Sequence, residues 1–130
     1  MTDNTQVTAK RILIVEDDDD LSNLLHDLLV RNGFQDITIV NNGDKLSKIL
    51  HLKETQAPDV LILDFRLPGQ SGLYLLPQIK NAWPSTRIIV YTGLEEKNHE
   101  LLEVLPFIDR LLKKTVPISS VIQSVKEMAG

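Results

Sequence analysis

The sequence predicts an α/β domain in which a five-stranded parallel sheet carries helices on both faces. Short apolar runs of strand length alternate five times with longer stretches in which leucine and isoleucine recur at helical spacing. The run over 60–63 is apolar at every position, which is typical of a strand buried on both faces of a parallel sheet. Right-handed crossovers then leave few topologies for the sheet.

The elements follow in order along the chain. Strands are predicted over 11–15, 36–40, 60–63, 87–92 and 108–113. Helices are predicted over 21–32, 44–54, 73–83 and 95–105, and from 118 towards the end of the sequence. Gly33 follows the first helix and Pro106 is predicted to stop the fourth, while Asp44 is predicted to cap the second.

Composition limits the class of protein. The 130 residues, 42% hydrophobic and 25% charged, suit one globular domain over 10–128, with 1–9 as an N-terminal tail. The sequence has no cysteine, so disulfides, thiolate metal sites and a cysteine nucleophile are excluded. A net charge of −4 argues against direct nucleic-acid binding. We find neither a signal peptide nor a membrane span, and therefore expect a cytoplasmic protein without a membrane partner.

Polar side chains stand at the ends of four predicted strands. Glu16 and Asp17 follow the first strand, Asp64 follows the third, Thr92 ends the fourth and Lys113 ends the fifth. Because the carboxyl ends of parallel strands meet at one edge of a sheet, we expect these side chains to converge. Three converging carboxylates repel one another unless a cation lies between them, and oxygen-only ligands favour Mg²⁺ or a similar hard ion.

The same group of residues suits phosphoryl transfer. Thr92 can donate a hydrogen bond to a phosphoryl oxygen, and Lys113 can supply a positive charge. A carboxylate can act as a covalent nucleophile, so the pattern predicts transfer of a phosphoryl group onto Asp64. If Asp64 were considered without Glu16, Asp17, Thr92 and Lys113, a structural role as an ordinary acid in a turn would explain it equally well.

Four sequence motifs resemble the receiver domain of bacterial two-component response regulators. They are ILIVEDD over 12–18, PDVLILDFRLPGQSG over 58–72, VYTG over 90–93 and LLK over 111–113. Each motif is weak alone, but the four in this order are specific, and the resemblance extends over about 10–128. It implies a flavodoxin-like (βα)5 fold with strand order 2-1-3-4-5.

The resemblance also implies roles for individual residues. Asp64 would accept a phosphoryl group from a phosphohistidine on a histidine kinase or a histidine phosphotransfer protein. Glu16 and Asp17 match the family's metal-binding acid pair, with Asp64 and the backbone carbonyl of Arg66 as the other ligands of Mg²⁺. Thr92 matches the hydroxyl residue that follows the phosphoryl group and switches conformation.

Lys113 matches the lysine that pairs with phosphoryl oxygens, but the surrounding sequence departs from the family. Lys114 stands where a proline usually follows, which leaves open which lysine is the ligand. Arg110 stands three residues before Lys113, where the family commonly has the tyrosine or phenylalanine of its aromatic readout. Leu105-Pro106-Phe107 replaces the usual Gly-Ala step. The face formed by the fourth helix, fifth strand and fifth helix, where the family signals and can form homodimers, is therefore unusual.

Several other polar residues have simpler interpretations. Asp18, Asp19 and Asp20 suit the start of the first helix better than a metal site, with Asp18 the best candidate for an exception. Arg110 could pair with Glu95 or Asp109. Trp83 is predicted to pack at the base of the third helix, and three histidines are predicted at surface or packing positions, namely His26, His51 and His99.

The leading functional prediction is a phosphoacceptor switch whose phosphorylation changes a partner-binding or self-binding face. It is not an enzyme in the ordinary sense, although it assists its own phosphotransfer and dephosphorylation. The alternative is a receiver-like scaffold that binds its partner without phosphorylation, favoured by Arg110 and Pro106 and disfavoured by the intact site.

A phosphatase of the haloacid dehalogenase type would require an acid where Arg66 stands. A flavodoxin would require a hydroxyl- and glycine-rich loop after the first strand. The output and the cognate kinase are left open.

Overall fold

The computed structural model describes residues 8–52, 54–93 and 99–130. It contains five strands, β1 (Thr8–Val15), β2 (Phe34–Val40), β3 (Val60–Leu63), β4 (Arg87–Thr92) and β5 (Arg110–Lys113). Five α-helices alternate with them, α1 (Asp19–Arg31), α2 (Gly43–His51), α3 (Gly72–Ala82), α4 (His99–Val104) and α5 (Ile118–Ala129). A short 3₁₀ turn, Leu105–Phe107, follows α4.

The five strands form one sheet in the order β2-β1-β3-β4-β5, and every pairing is parallel. This confirms the predicted fold class and strand order. All four residues of the central strand β3 are buried, because strands flank it on both sides and helices cover both faces. The two edge strands, β2 and β5, are less completely covered.

Alternate strand residues supply two separate hydrophobic layers. Val15, Leu63 and Val90 point to the face covered by α2, α3 and α4. Ile14 and Ile62 point to the face covered by α1 and α5. The result is a three-layer sandwich in which the strand ends, rather than the strand faces, are accessible for chemistry.

Some element boundaries differ from the predictions. β1 begins at Thr8, inside the predicted tail. Residues 1–7 of that tail and residues 95–98 of the predicted fourth helix lie outside the described residues. Asn42, not Asp44, caps α2: its side-chain oxygen accepts a hydrogen bond from the backbone N–H of Lys45 at 2.8 Å. Pro106 lies within the 3₁₀ turn that follows α4, because proline fits the first turn of such a helix.

Other local predictions are confirmed. Asp18 caps α1, and its carboxylate accepts from the backbone N–H of Leu21 at 3.1 Å. Trp83 caps the C-terminal end of α3 and is almost fully buried. His51 and His99 are exposed, and His26 is half-buried beside Asp27. In the parts of the chain that the structure describes, no helix combines the length and apolar character needed to cross a bilayer.

Candidate functional site

The sheet register brings the predicted acids to one edge. Val15 pairs with Leu63, and the ladder continues one step further because the backbone N–H of Asp64 donates to the carbonyl of Val15 at 3.0 Å. On the other side of β1, the N–H of Glu16 donates to the carbonyl of Val40 at 3.0 Å. Glu16 and Asp64 are thus fixed by backbone hydrogen bonds at adjacent strand ends.

Three acids form a cluster at this edge. Carboxylate oxygens of Glu16, Asp17 and Asp64 lie within 4.8 Å of one another. Glu16 and Asp64 are only 2% and 4% exposed, whereas Asp17 is open to solvent. Three oxygen donors in a partly open cleft match the preference of a hard divalent cation, which binds few carboxylates and retains several waters. The cluster is therefore compatible with a divalent metal site.

The ammonium of Lys114 contacts two of the three acids. Its Nζ lies 2.8 Å from an oxygen of Asp64 and 2.8 Å from an oxygen of Glu16. The second oxygen of each carboxylate accepts a backbone N–H: Arg66 donates to Asp64 at 3.1 Å and Asp18 donates to Glu16 at 3.2 Å. Lys114 thus partly neutralises a pair of buried carboxylates.

Burial and charge shift the pKa of two groups in this cluster. Burial raises the pKa of Glu16 above 4.5, and the nearby charge of Asp64 acts in the same direction. Hydrogen bonds from Lys114 and from the N–H of Asp18 oppose this effect without cancelling it. Burial tends to lower the pKa of Lys114, but its hydrogen bonds to Asp64 and Glu16 outweigh burial and raise that pKa above 10.5.

Thr92 and Lys113 lie at the paired ends of β4 and β5. Thr92 is fully buried, and its α-carbon is in register with that of Lys113. The carbonyl of Thr92 accepts the backbone N–H of Lys114 at 2.9 Å. Strand alternation places Lys113 on the same sheet face as Leu111, while Lys114 is the first residue beyond the strand. Lys114, the alternative that the sequence left open, places its ammonium 2.8 Å from Asp64, and the role of Lys113 at the phosphoryl group stays a prediction.

Arg110 points away from the α4 side of β5. Its guanidinium donates to the hydroxyl of Ser124 at 3.0 Å and to the carboxylate of Glu127 at 2.8 Å, both on α5. This hydrogen bond lowers the pKa of Glu127 below 4.5. The prediction that Arg110 pairs with Asp109 is wrong, because Asp109 instead accepts from Arg87 and from the backbone of β4. The alternative partner, Glu95, lies outside the described residues.

The resemblance places an aromatic residue three positions before the phosphoryl-binding lysine, and that position differs for Lys113 and Lys114. Three residues before Lys114 is Leu111, which is partly buried against the hydrophobic layer beneath α2, α3 and α4. Leu112 belongs to the opposite layer, beneath α1 and α5. The position that faces α4 is thus occupied by an aliphatic side chain, and Arg110 lies on the other face.

A family model for the response regulator receiver domain matches residues 12–126. The chain belongs to the response regulator receiver family. The match includes Glu16, Asp17, Asp64, Thr92 and both lysines at the end of β5. Receiver domains in general are signal-transduction switches rather than enzymes of the ordinary kind.

Individual relatives agree with this assignment. The chain is 32% identical over 107 residues to the transcriptional regulatory protein RstA of Escherichia coli, covering 82% of this chain and 43% of RstA. It is 29% identical over 90 residues to the chemotaxis protein CheY of Bacillus subtilis, covering 69% of this chain and 72% of CheY. The chain thus spans less than half of RstA but most of CheY.

Solved structures show the same fold. The response regulator TrrA from Thermotoga maritima, in complex with Mg(2+)-BeF, superposes with a TM-score of 0.74 at 26% identity, covering 92% of this chain and 98% of TrrA. A receiver domain protein from Methanospirillum hungatei superposes with a TM-score of 0.78 at 25% identity, covering 92% of this chain and 93% of that protein.

Proposed function

We propose that this receiver domain is a phosphoacceptor switch and that Asp64 is the residue phosphorylated. The position of the Asp64 carboxylate carries the proposal. It lies at the end of the central strand, one oxygen is held by the ammonium of Lys114, and the other accepts the N–H of Arg66. A carboxylate fixed in this way presents a defined oxygen to an incoming phosphorus atom.

The phosphoryl donor is a phosphohistidine on a histidine kinase or a histidine phosphotransfer protein. A lone pair on one oxygen of Asp64 forms a bond to phosphorus as the phosphorus–nitrogen bond to the histidine breaks. The electron pair of the broken bond goes to the imidazole nitrogen, which takes up a proton. An acyl phosphate forms on Asp64, and the donor histidine is regenerated.

Mg²⁺ is the proposed cofactor. Glu16, Asp17 and Asp64 would hold it through their carboxylates, together with the backbone carbonyl of Arg66. The oxygen-only donor set and the 4.8 Å spread of the three carboxylates support this assignment. Charge that develops on the transferring oxygens is neutralised when Mg²⁺ is bound.

Two further residues are proposed to contact the phosphoryl group. Thr92 would donate a hydrogen bond from its hydroxyl group to a phosphoryl oxygen, and its side chain would change conformation in response. We assign the ammonium contact to Lys114 in place of Lys113, because Lys114 already lies 2.8 Å from Asp64. When the phosphoryl group arrives, this ammonium is in position to pair with it and stabilise its negative charge.

The output surface is proposed to be α4, β5 and α5, and it would bind either a partner protein or a second copy of this chain. Neither Leu111 nor Arg110 has an aromatic ring, so the state of Asp64 would have to be transmitted by aliphatic packing and by the Arg110–Glu127 pair. We further propose that residues 10–128 form the receiver domain, that it works in the cytoplasm, and that it binds neither nucleic acid nor membrane directly.

Intact mass spectrometry tests the proposal. The protein is incubated with acetyl phosphate, with and without Mg²⁺, alongside an Asp64→Asn variant that retains the side-chain shape. We expect a Mg²⁺-dependent gain of one phosphoryl group in the wild type and none in the variant. A wild type that binds Mg²⁺ but gains no phosphoryl group from acetyl phosphate or from any phosphohistidine donor would support the scaffold alternative.

A further inference from the structure

The first turn of α2 lies directly against the loop that joins β3 to α3. The backbone N–H of Gly43 donates to the carbonyl of Pro68 at 2.9 Å. A side chain at position 43 would overlap the carbonyl oxygen of Gln70, so the approach requires glycine. On the other side of this contact, a Cβ at Gly69 would lie 2.5 Å from an oxygen of Asp44. The two segments therefore meet at close backbone range.

The β3–α3 loop is fixed at both ends as well. Phe65 is 1% exposed and packs in the layer beneath α2, α3 and α4. Its carbonyl accepts the N–H of Gly72 at 3.1 Å and the hydroxyl of Ser71 at 3.3 Å, which closes the loop on itself. Arg66 lies between this anchor and the segment that α2 holds. Its backbone position is therefore set from both sides.

We propose that Gly43 is a positioning residue for the metal site. By holding Pro68, Gly43 fixes the path of the loop and with it the position of the Arg66 carbonyl. The role of this carbonyl as a ligand of Mg²⁺ rests on the proposed function. The α2 helix is a rigid support, since its own residue Leu46 is fully buried in the core and Asn42 caps it. Gly43 itself does not touch the metal or the phosphoryl group.

A methyl group at position 43 must push either the loop or the start of α2 away. Because α2 is anchored in the core, much of the displacement falls on the loop. Residues that orient metal ligands from a distance typically change metal affinity by about 10- to 100-fold when they are substituted. We expect Gly43→Ala to weaken Mg²⁺ binding by about tenfold, at the lower end of that range.

The test compares Mg²⁺ dissociation constants, measured by isothermal titration calorimetry, for the wild type, Gly43→Ala and Phe34→Leu. Phe34 is buried at the opposite edge of the sheet, so its variant controls for a general loss of stability. Phosphorylation by acetyl phosphate is followed at limiting and at saturating Mg²⁺. For Gly43→Ala we expect slow phosphorylation at limiting Mg²⁺ and recovery to near the wild-type rate at saturation, while Phe34→Leu binds Mg²⁺ like the wild type.

Each other outcome counts against the inference. If Gly43→Ala binds Mg²⁺ as tightly as the wild type, or if Phe34→Leu weakens binding equally, Gly43 has no positioning role. If the wild type itself binds no Mg²⁺, the metal dependence in the proposed function is wrong. This result differs from one in which the wild type binds Mg²⁺ and only the positioning role of Gly43 is wrong. Should Gly43→Ala not fold, Asn42→Ala removes the cap of α2 without a clash; unchanged Mg²⁺ affinity in that variant overturns the proposal.

Discussion

Replacing Lys114 by methionine tests the assignment that departs most from the sequence pattern. The variant keeps most of the side-chain length but removes the ammonium that lies 2.8 Å from both Glu16 and Asp64. Two carboxylates, whose side chains are 3% and 5% exposed, then face each other without that cation. Both the stability of the domain and its reactivity towards a phosphodonor are expected to fall.

The structure sets the size of the effect on stability. Removing one partner of a fully buried ion pair costs about 3–5 kcal/mol. The side chain of Lys114 is 30% exposed, so water can replace part of the lost interaction, and we expect a loss of about 2–3 kcal/mol at neutral pH. The loss should shrink towards acid, because Glu16, whose pKa lies above 4.5, is neutralised there by a proton.

Phosphorylation should be slowed as well. Removing one charged contact to a transferring group typically slows the reaction by about 100-fold or more. We expect a loss of this order for Lys114→Met with acetyl phosphate at saturating Mg²⁺. Lys113→Met is the matched control, since it leaves both contacts of Lys114 intact and should react at close to the wild-type rate.

Urea denaturation at pH 8 and pH 5, together with the initial rate of phosphorylation, measures both effects. Slow phosphorylation in Lys113→Met and normal phosphorylation in Lys114→Met would refute the reasoning. The same conclusion would follow if Lys114→Met were as stable as the wild type at pH 8.

Three further predictions concern other groups. Mg²⁺ at 100 times its dissociation constant should stabilise the wild type by about 2.7 kcal/mol in urea denaturation, and Asp17→Asn should lose most of this gain because a ligand is removed. The pKa of the Glu127 side chain, measured by NMR, should lie below 4.5 in the wild type and return towards 4.5 in Arg110→Ala. The difference in stability between the wild type and Glu127→Gln should be full above pH 4.5 and should fade as the pH falls through the lowered pKa. Thr92→Ala should accept a phosphoryl group about three- to tenfold more slowly, with Thr92→Ser close to wild type, as rates with acetyl phosphate would show.

The central features of the fold could be predicted from sequence because burial leaves a clear pattern. β3 is apolar at all four positions, and its observed bounds, Val60–Leu63, equal the predicted ones. The observed bounds of β4, Arg87–Thr92, also equal the predicted ones. Parallel pairing then places Glu16 and Asp64 at the same edge, so the acid cluster follows from the order of the strands.

The choice between Lys113 and Lys114 could not be made from sequence alone. The two residues have the same chemistry, and what separates them is where β5 ends against β4, which depends on the pairing of Thr92 with Lys113. Similarly, Asn42 and Asp44 are both good helix caps, and the close approach of Gly43 to the β3–α3 loop fixes where α2 starts. The partner of Arg110 lies on α5, 17 residues away in sequence. Long-range contacts decide all three cases.

The most direct test of the central claim is to locate the acyl phosphate by peptide mass spectrometry. Protein treated with acetyl phosphate and Mg²⁺ is reduced with borohydride, which converts a phosphorylated aspartate to homoserine, and is then digested. The proposed mechanism predicts homoserine at position 64 and an unmodified aspartate at position 17. Homoserine at another position, with Asp64 unchanged, would contradict it.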